Sequence, residues 1–347
     1  MPAAATSPMR YLARTVLPLV VPFLGAHAAG ARPSPPRTGQ PESTDRQGFV
    51  DAGGGVRLFY RIVGTGGDTV VVLHGGPGFS MGYLAADLEP IAARHVLLFY
   101  DQRGTGRSTL VTDSTSLDAQ RFADDLEAVR RQFRLRRLTL LGHSWGAGVA
   151  ALYAGRHPER VGRLIIVDGI SVRRTHHTRG AETLDARRDS TTQRRLRELG
   201  AARLANVGDA RACRAYYDLW FLATFEDSAA ARRSRGDFCA GTPEALANKV
   251  RSVDRFTLRS LGEWDWRPAL RAVAAPALVI RGTADHVPLE SAREWATALP
   301  DGRLLELDGS GHFPYLEVPD RFFAAVEAFL QGRWPAGAEA RSVPGRR

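Results

Sequence analysis

Apolar positions in this chain fall into short continuous runs separated by glycine-rich turns and by longer stretches of helical spacing. Thr69–Leu73, His95–Tyr100, Leu138–Leu141, Arg163–Val167, Ala277–Ile280 and Arg303–Leu307 are strand-length and largely apolar. Runs of that kind predict strands covered on both faces. Val56–Val63 alternates instead and predicts an early edge strand. Between them, Phe122, Leu126, Val129 and Phe133 share one face of a helix over 119–133. Helices are also expected at 81–93, 147–154, 291–299 and 321–330. Strand and helix in alternation predict an α/β fold with a mostly parallel sheet flanked by helices.

From about Ser171 to Val273 the alternation stops and Arg-rich helical segments replace it. An insert of that size between two strands predicts a helical cap. The core is therefore read as 48–170 plus 274–332 and the cap as 171–273. Residues 333–347 are read as a loose tail. Upstream, Arg10 and Arg14 precede an apolar stretch, Thr15–Ala26, that ends in Ala26-His27-Ala28. This is the pattern of a secretory signal, read as 1–28 with cleavage after Ala28; an uncleaved anchor is the alternative. The stretch is short and interrupted by Pro18 and Pro22, so a stable membrane span is not expected. Residues 29–47 read as a flexible lead-in. The expected location is secreted or periplasmic.

Composition changes the picture little. The 347 residues carry a formal charge of +10, but nearly every basic side chain is Arg and Lys249 is the only lysine. The arginines are scattered and not interleaved with aromatics, so a nucleic-acid partner is not expected. The two cysteines, Cys213 and Cys239, fit either one disulfide or two separate buried thiols. No Cys/His cluster points to a metal, and no cofactor is expected.

In open parallel sheets the site lies beyond the carboxyl ends of the strands. Gly76, Asp101, Ser144, Asp168, Asp285 and His312 all follow predicted strand ends, so they should share one edge. Leu138–Leu141 runs into Gly142-His-Ser-Trp-Gly146, followed by a small, apolar helix. A G-x-S-x-G between strand and helix is a nucleophile elbow, which makes Ser144 the candidate nucleophile. A serine needs a base, and the base needs an acid. His312, in a Gly-Ser-Gly-His turn after the last strand, is the candidate base. Asp285 is the candidate acid, with Asp168 as its rival. His143 is read as a packing or supporting residue, His74 as shaping its own loop, and His286 is left open. Oxyanion donors are expected from the backbone N–H groups of Trp145 and Gly76. Pro77 stiffens that glycine loop and is a candidate for a cis bond.

Three motifs, His74-Gly-Gly-Pro-Gly78, Asp101-Gln-Arg-Gly-Thr-Gly-Arg-Ser108 and Gly142-His-Ser-Trp-Gly146, resemble the α/β-hydrolase family and, within it, the prolyl aminopeptidase (proline iminopeptidase) branch. The resemblance implies an α/β-hydrolase fold with an inserted cap and a serine peptidase removing N-terminal residues from a short peptide or small molecule. It implies acidic cap residues that hold a free amine. Trp220 is followed by Phe221 where that branch has a glutamate, so Glu226 and Glu263 are the candidate substitutes and Trp220 a candidate substrate contact. Asp101 and Arg103 are expected to brace the loops behind the site. An esterase or lactonase using the same triad, and a non-catalytic binding protein on the same fold, are the alternatives. A serine at the elbow disfavours a carboxylate-nucleophile hydrolase.

Overall fold

The computed structural model describes residues 45–340. The expected signal, nearly all of the lead-in and the last seven residues of the tail lie outside them. Nine strands form one sheet: β1 (Arg46–Asp51), β2 (Arg57–Val63), β3 (Thr69–Leu73), β4 (Val96–Tyr100), β5 (Leu138–His143), β6 (Val161–Val167), β7 (Ala277–Gly282), β8 (Gly302–Leu307) and β9 (Glu339–Ala340). Their order is β1-β2-β4-β3-β5-β6-β7-β8-β9. The strands from β4 to β8 run parallel to one another, while β1, β2 and β9 pair antiparallel at the two ends.

The apolar runs are central strands because each buries both faces. Along β3, Val71 and Leu73 join the core on one side, while Val70 and Val72 join the core on the other, the period-two alternation of a pleated strand. The elbow helix, Trp145–Arg156, is buried along nearly its whole length against the first of these cores.

Four boundaries differ from the sequence reading. Β-strand β2 is not the edge, because β1 covers it. The β1 residues alternate poorly, with four of six exposed, so the hydrophobic pattern is weak there, and Arg46 and Gln47 belong to the sheet, not to a lead-in. The single helix expected over 81–93 is three short turns, Met81–Tyr83, Ala85–Leu88 and Glu89–Ala93, with Pro90 at the start of the third removing a helical donor. The described part of the tail is not loose: β9 pairs with β8, and Arg303 lies over the Trp334 ring at 4.2 Å. Finally, Trp264, Trp266, Leu270 and Val273 were grouped with the cap but pack into the core beside the elbow helix. Tryptophans spaced two apart in a polar stretch carry no periodic signal of which layer they enter.

The rest of the insert is helical, chiefly Arg174–Ala186, Ser190–Ala205, Ala210–Leu222, Pro243–Asn248 and Asp254–Ser260. A disulfide joins Cys213 to Cys239, so the paired reading of the two cysteines holds in this structure. It ties the Ala210–Leu222 helix to the loop that carries Phe238. No helix among the described residues is long and apolar enough to cross a membrane.

Candidate active site

Ser144 occupies the turn between β5 and the elbow helix with φ 54° and ψ −121°, a left-handed conformation that costs a non-glycine residue strain. The flanking glycines make the turn possible. A Cβ on Gly146 would collide with the Leu73 carbonyl of β3, and one on Gly142 would meet the Gly146 backbone at 2.7 Å. The Ser144 N–H donates to the Val167 carbonyl at 3.1 Å, which anchors the elbow to β6. Trp145 is the first residue of the elbow helix, where backbone N–H groups have no intrahelical acceptor.

His312 follows β8. Its Nδ1–H donates to Asp285 Oδ1 at 2.9 Å, and Asp285 follows β7. Ser144 and His312 line the same cavity, of about 390 Å³, with Gly75, Gly76 and Trp220. Burial pushes the Asp285 carboxyl up, but the imidazoles of His312 and His286 outweigh it and hold the group well below the carboxylate range. Asp285 is therefore ionised, as an acid that orients an imidazole must be. His286 Nδ1 also lies 2.9 Å from Asp285 Oδ1 but off the hydrogen-bonding direction.

Asp168, the rival acid, follows β6 with φ 40°. It accepts from the Gly282 N–H at 2.9 Å, and its carboxyl meets that of Asp285. Burial and the neighbouring charge of Asp285 drive its pKa well up, so it is the protonated member of the two.

The loop after β3 approaches Ser144 closely, since a Cβ on Gly75 would lie 3.0 Å from the serine Cβ. Gly76 has φ 131° and the Gly76–Pro77 bond is cis. His74 shapes this loop. Its Nε2 accepts from the Gln102 N–H at 3.0 Å, which leaves Nδ1–H to donate to the Gly75 carbonyl at 2.9 Å. Burial lowers the His74 pKa to about 4, in keeping with one proton. Gln102 also donates to the His74 carbonyl and accepts from the Trp145 indole at 2.9 Å, joining the loops after β3 and β4 to the elbow. Behind it, Asp101 accepts from the backbone N–H groups of Met81 and Arg107, and Arg103 forms a forked pair with buried Asp125 at 2.6 and 2.7 Å.

The cap residues divide. Trp220 lines the cavity. Glu226 and Glu263 do not. Glu226 is exposed, with its backbone N–H on Glu317. Glu263 is 85% exposed and paired with Arg174. Both are carboxylates on the solvent side of the cap, where hydration favours them. Besides Asp285 behind His312, the acidic side chain at the cavity is Asp254, and Lys249 Nζ meets both its oxygens at 2.7 and 2.8 Å. Sequence reasoning missed this pair. The sole lysine was visible, but the pairing comes from a π-helical turn over Lys249–Val253 that brings residues five apart together. Phe79, Tyr217, Phe221 and Phe238 complete an aromatic wall.

The strand order, the elbow and the cap together define a class. The chain belongs to the α/β hydrolase fold family, which matches residues 68–319, and it is a hydrolase of that fold. Among its relatives is the proline iminopeptidase of Heyndrickxia coagulans, 27% identical over 294 residues that cover 82% of this chain and 98% of that one. The proline iminopeptidase of Saccharolobus solfataricus is 26% identical, covering 80% of this chain and 89% of its own length. The crystal structure of proline iminopeptidase from Mycobacterium smegmatis shares the fold with a TM-score of 0.61 at 24% identity, over 83% of this chain and 98% of that one.

Proposed function

We infer that this protein is an exported serine hydrolase of prolyl-aminopeptidase type, with Ser144, His312 and Asp285 as its triad. The observation that carries the reading is the 2.9 Å hydrogen bond between His312 and Asp285 beside a strained Ser144 on one cavity. His312 Nε2 takes the Ser144 proton as the hydroxyl attacks the substrate carbonyl. Asp285 fixes the tautomer and stabilises the imidazolium that results. The N–H groups of Trp145 and Gly76 hold the oxyanion. His312 then returns the proton to the leaving group, and water repeats the sequence to release the acyl-enzyme. The peptidase assignment draws its support from the three loop motifs and from the names of the relatives. Export draws its support from the leader pattern and from the disulfide, which persists in oxidising compartments.

A second reading keeps the triad and changes the substrate to an ester or an amide without a free amine. The positions of Glu226 and Glu263 outside the cavity favour it. A rate panel separates the two: aminoacyl arylamides with proline and other residues, their N-blocked forms and simple aryl esters, each with wild type and Ser144→Ala. Turnover of free-amine arylamides, lost on blocking and lost in Ser144→Ala, supports the peptidase. Ester turnover indifferent to an amine supports the second reading. Turnover that survives Ser144→Ala overturns both.

A further inference from the structure

The charges around the cavity do not cancel, and one guanidinium is left over. Lys249 is neutralised by Asp254, which binds its ammonium with both oxygens. The cavity imidazoles of His143, His177 and His286 have lowered pKa values, burial being the main cause in each, so they contribute no charge near neutrality. Arg203 has no such partner. Its guanidinium lies 4.6 Å from the Tyr216 ring centre and 5.2 Å from that of Tyr217, and Nη1 donates to the Tyr217 hydroxyl at 3.3 Å. Its Nε is buried with no hydrogen-bond partner, and no carboxylate among the described residues pairs with it. Arg203 nevertheless lines the same cavity as Ser144.

A guanidinium resting on tyrosine rings, with Nε buried and one Nη1–H on the Tyr217 hydroxyl, still has Nη2 and the second Nη1–H to give, and a pair of such N–H groups fits a carboxylate in two-point fashion. The aromatic wall formed by Phe79, Tyr217, Phe221 and Phe238 suits a flat apolar body. We propose that Arg203 anchors a free carboxylate of the substrate, so that the cavity selects amides or esters whose apolar body carries a second, unreacting carboxylate group. The proposal rests on the reading of this cavity as the substrate site, and it names the substrate class for it. It concerns the part of the substrate away from the reacting carbonyl, so it holds for either reading of the reaction.

The test is binding, not turnover, so that it stands apart from the triad. Calorimetry measures 4-phenylbutyrate and 4-phenylbutyramide, which differ in charge and little in shape, on Ser144→Ala protein. The same titrations follow on Ser144→Ala with Arg203→Gln, and with Arg203→Lys as a variant that keeps the charge but loses the fork. A hydrogen bond to a charged group corresponds to about a tenfold to hundredfold preference for the carboxylate. That preference should fall toward one with Arg203→Gln and stay intermediate with Arg203→Lys. Equal affinity for the two probes, no binding of either, or a preference that survives Arg203→Gln overturns the proposal. Loss of activity in Ser144→Ala is a separate measurement that bears on the triad alone.

Discussion

The Tyr83 hydroxyl lies 2.6 Å from Nδ1 of His143, and the direction of that hydrogen bond follows from its neighbours. His143 Nε2 faces the His312 carbonyl at 2.9 Å, which only accepts, so Nε2 carries the proton. Burial, with the charge of His312 beside it, lowers the His143 pKa to about 3, so Nδ1 carries none. Tyr83 therefore donates to Nδ1 and accepts from the Gly75 N–H at 2.7 Å. One directed chain thus joins the glycine loop, the elbow and the backbone of His312. Tyr83→Phe should leave the Gly75 N–H and His143 Nδ1 buried and unpaired, at about 1–3 kcal/mol each. Urea denaturation should show the loss. Turnover should fall about tenfold to a hundredfold, somewhat less than the ~10²–10³ of removing an oxyanion donor outright. Wild-type kcat and stability in this variant would mean that the chain plays no part in aligning the site.

Asp285 bonds His312 and Asp168 stands against Asp285, both buried carboxyls, and they should respond in opposite ways to amidation. Asp285→Asn presents an N–H where His312 needs an acceptor, which favours the wrong tautomer. The kcat should drop by about 10³–10⁴ in a folded protein. Asp168 is held protonated by burial and by the charge of Asp285, and an amide is close to that state. Asp168→Asn keeps the acceptor for the Gly282 N–H and should retain most turnover. The reverse ranking of the two variants would make Asp168 the acid.

Asp168 also sets a pH dependence. A carboxyl whose folded pKa is raised contributes stability that is fully present below its unfolded value, near 4, and lost as pH rises through the folded value. Asp168→Asn does not titrate and escapes that loss. Its unfolding free energy should therefore gain on wild type between pH 5 and pH 8, as read by urea denaturation at the two values. A difference that stays constant with pH would show that the proton is not bound as described.

The parallel strands, the elbow and the order of Ser144, Asp285 and His312 could all be read from the sequence, because each rests on a local pattern. Apolar runs report burial on both faces, and glycines two positions either side of a serine report a tight turn. What failed to show was tertiary. Arg46–Asp51 joins the sheet by backbone pairing with β2, which needs no hydrophobic pattern. Trp264 and Trp266 enter the core from a segment with no periodicity. In the cap, Glu226 and Glu263 looked equivalent to any other carboxylate, and only packing shows that they face solvent while Asp254 is turned inward by the π-helical turn. The polarity of the cavity is therefore the feature least visible in sequence.

Those two glutamates lead to a direct prediction about selectivity. Glu226 and Glu263 lie away from the cavity that holds Ser144, so Glu226→Gln with Glu263→Gln should change KM for any aminoacyl arylamide by less than about twofold, the range of substitutions remote from a site. Asp254→Asn should change KM strongly, because it frees the buried Lys249 ammonium inside the cavity. A large KM increase in the double glutamine variant, specific to free-amine substrates, would place an amine pocket on the outer face of the cap.

The disulfide makes the last prediction. Cys213 stands one helical turn before Tyr216 and Tyr217, on the helix that also carries Trp220 and Phe221, and Cys239 adjoins Phe238. Phe221 and Phe238 stack at 3.9 Å on the cavity wall. The bond therefore fixes two halves of the aromatic surface against each other, and it closes a loop of 26 positions. Loop-closure entropy assigns such a link about 3–4 kcal/mol. The double variant Cys213→Ser with Cys239→Ser, and wild type under dithiothreitol, should both lose about 2–4 kcal/mol of unfolding free energy. KM should rise more than kcat falls, since the wall loosens while the Asp285–His312 pair, built on β7 and β8, is untouched. An equal fall in kcat with KM unchanged would mean instead that the cap and the triad are mechanically coupled through this loop.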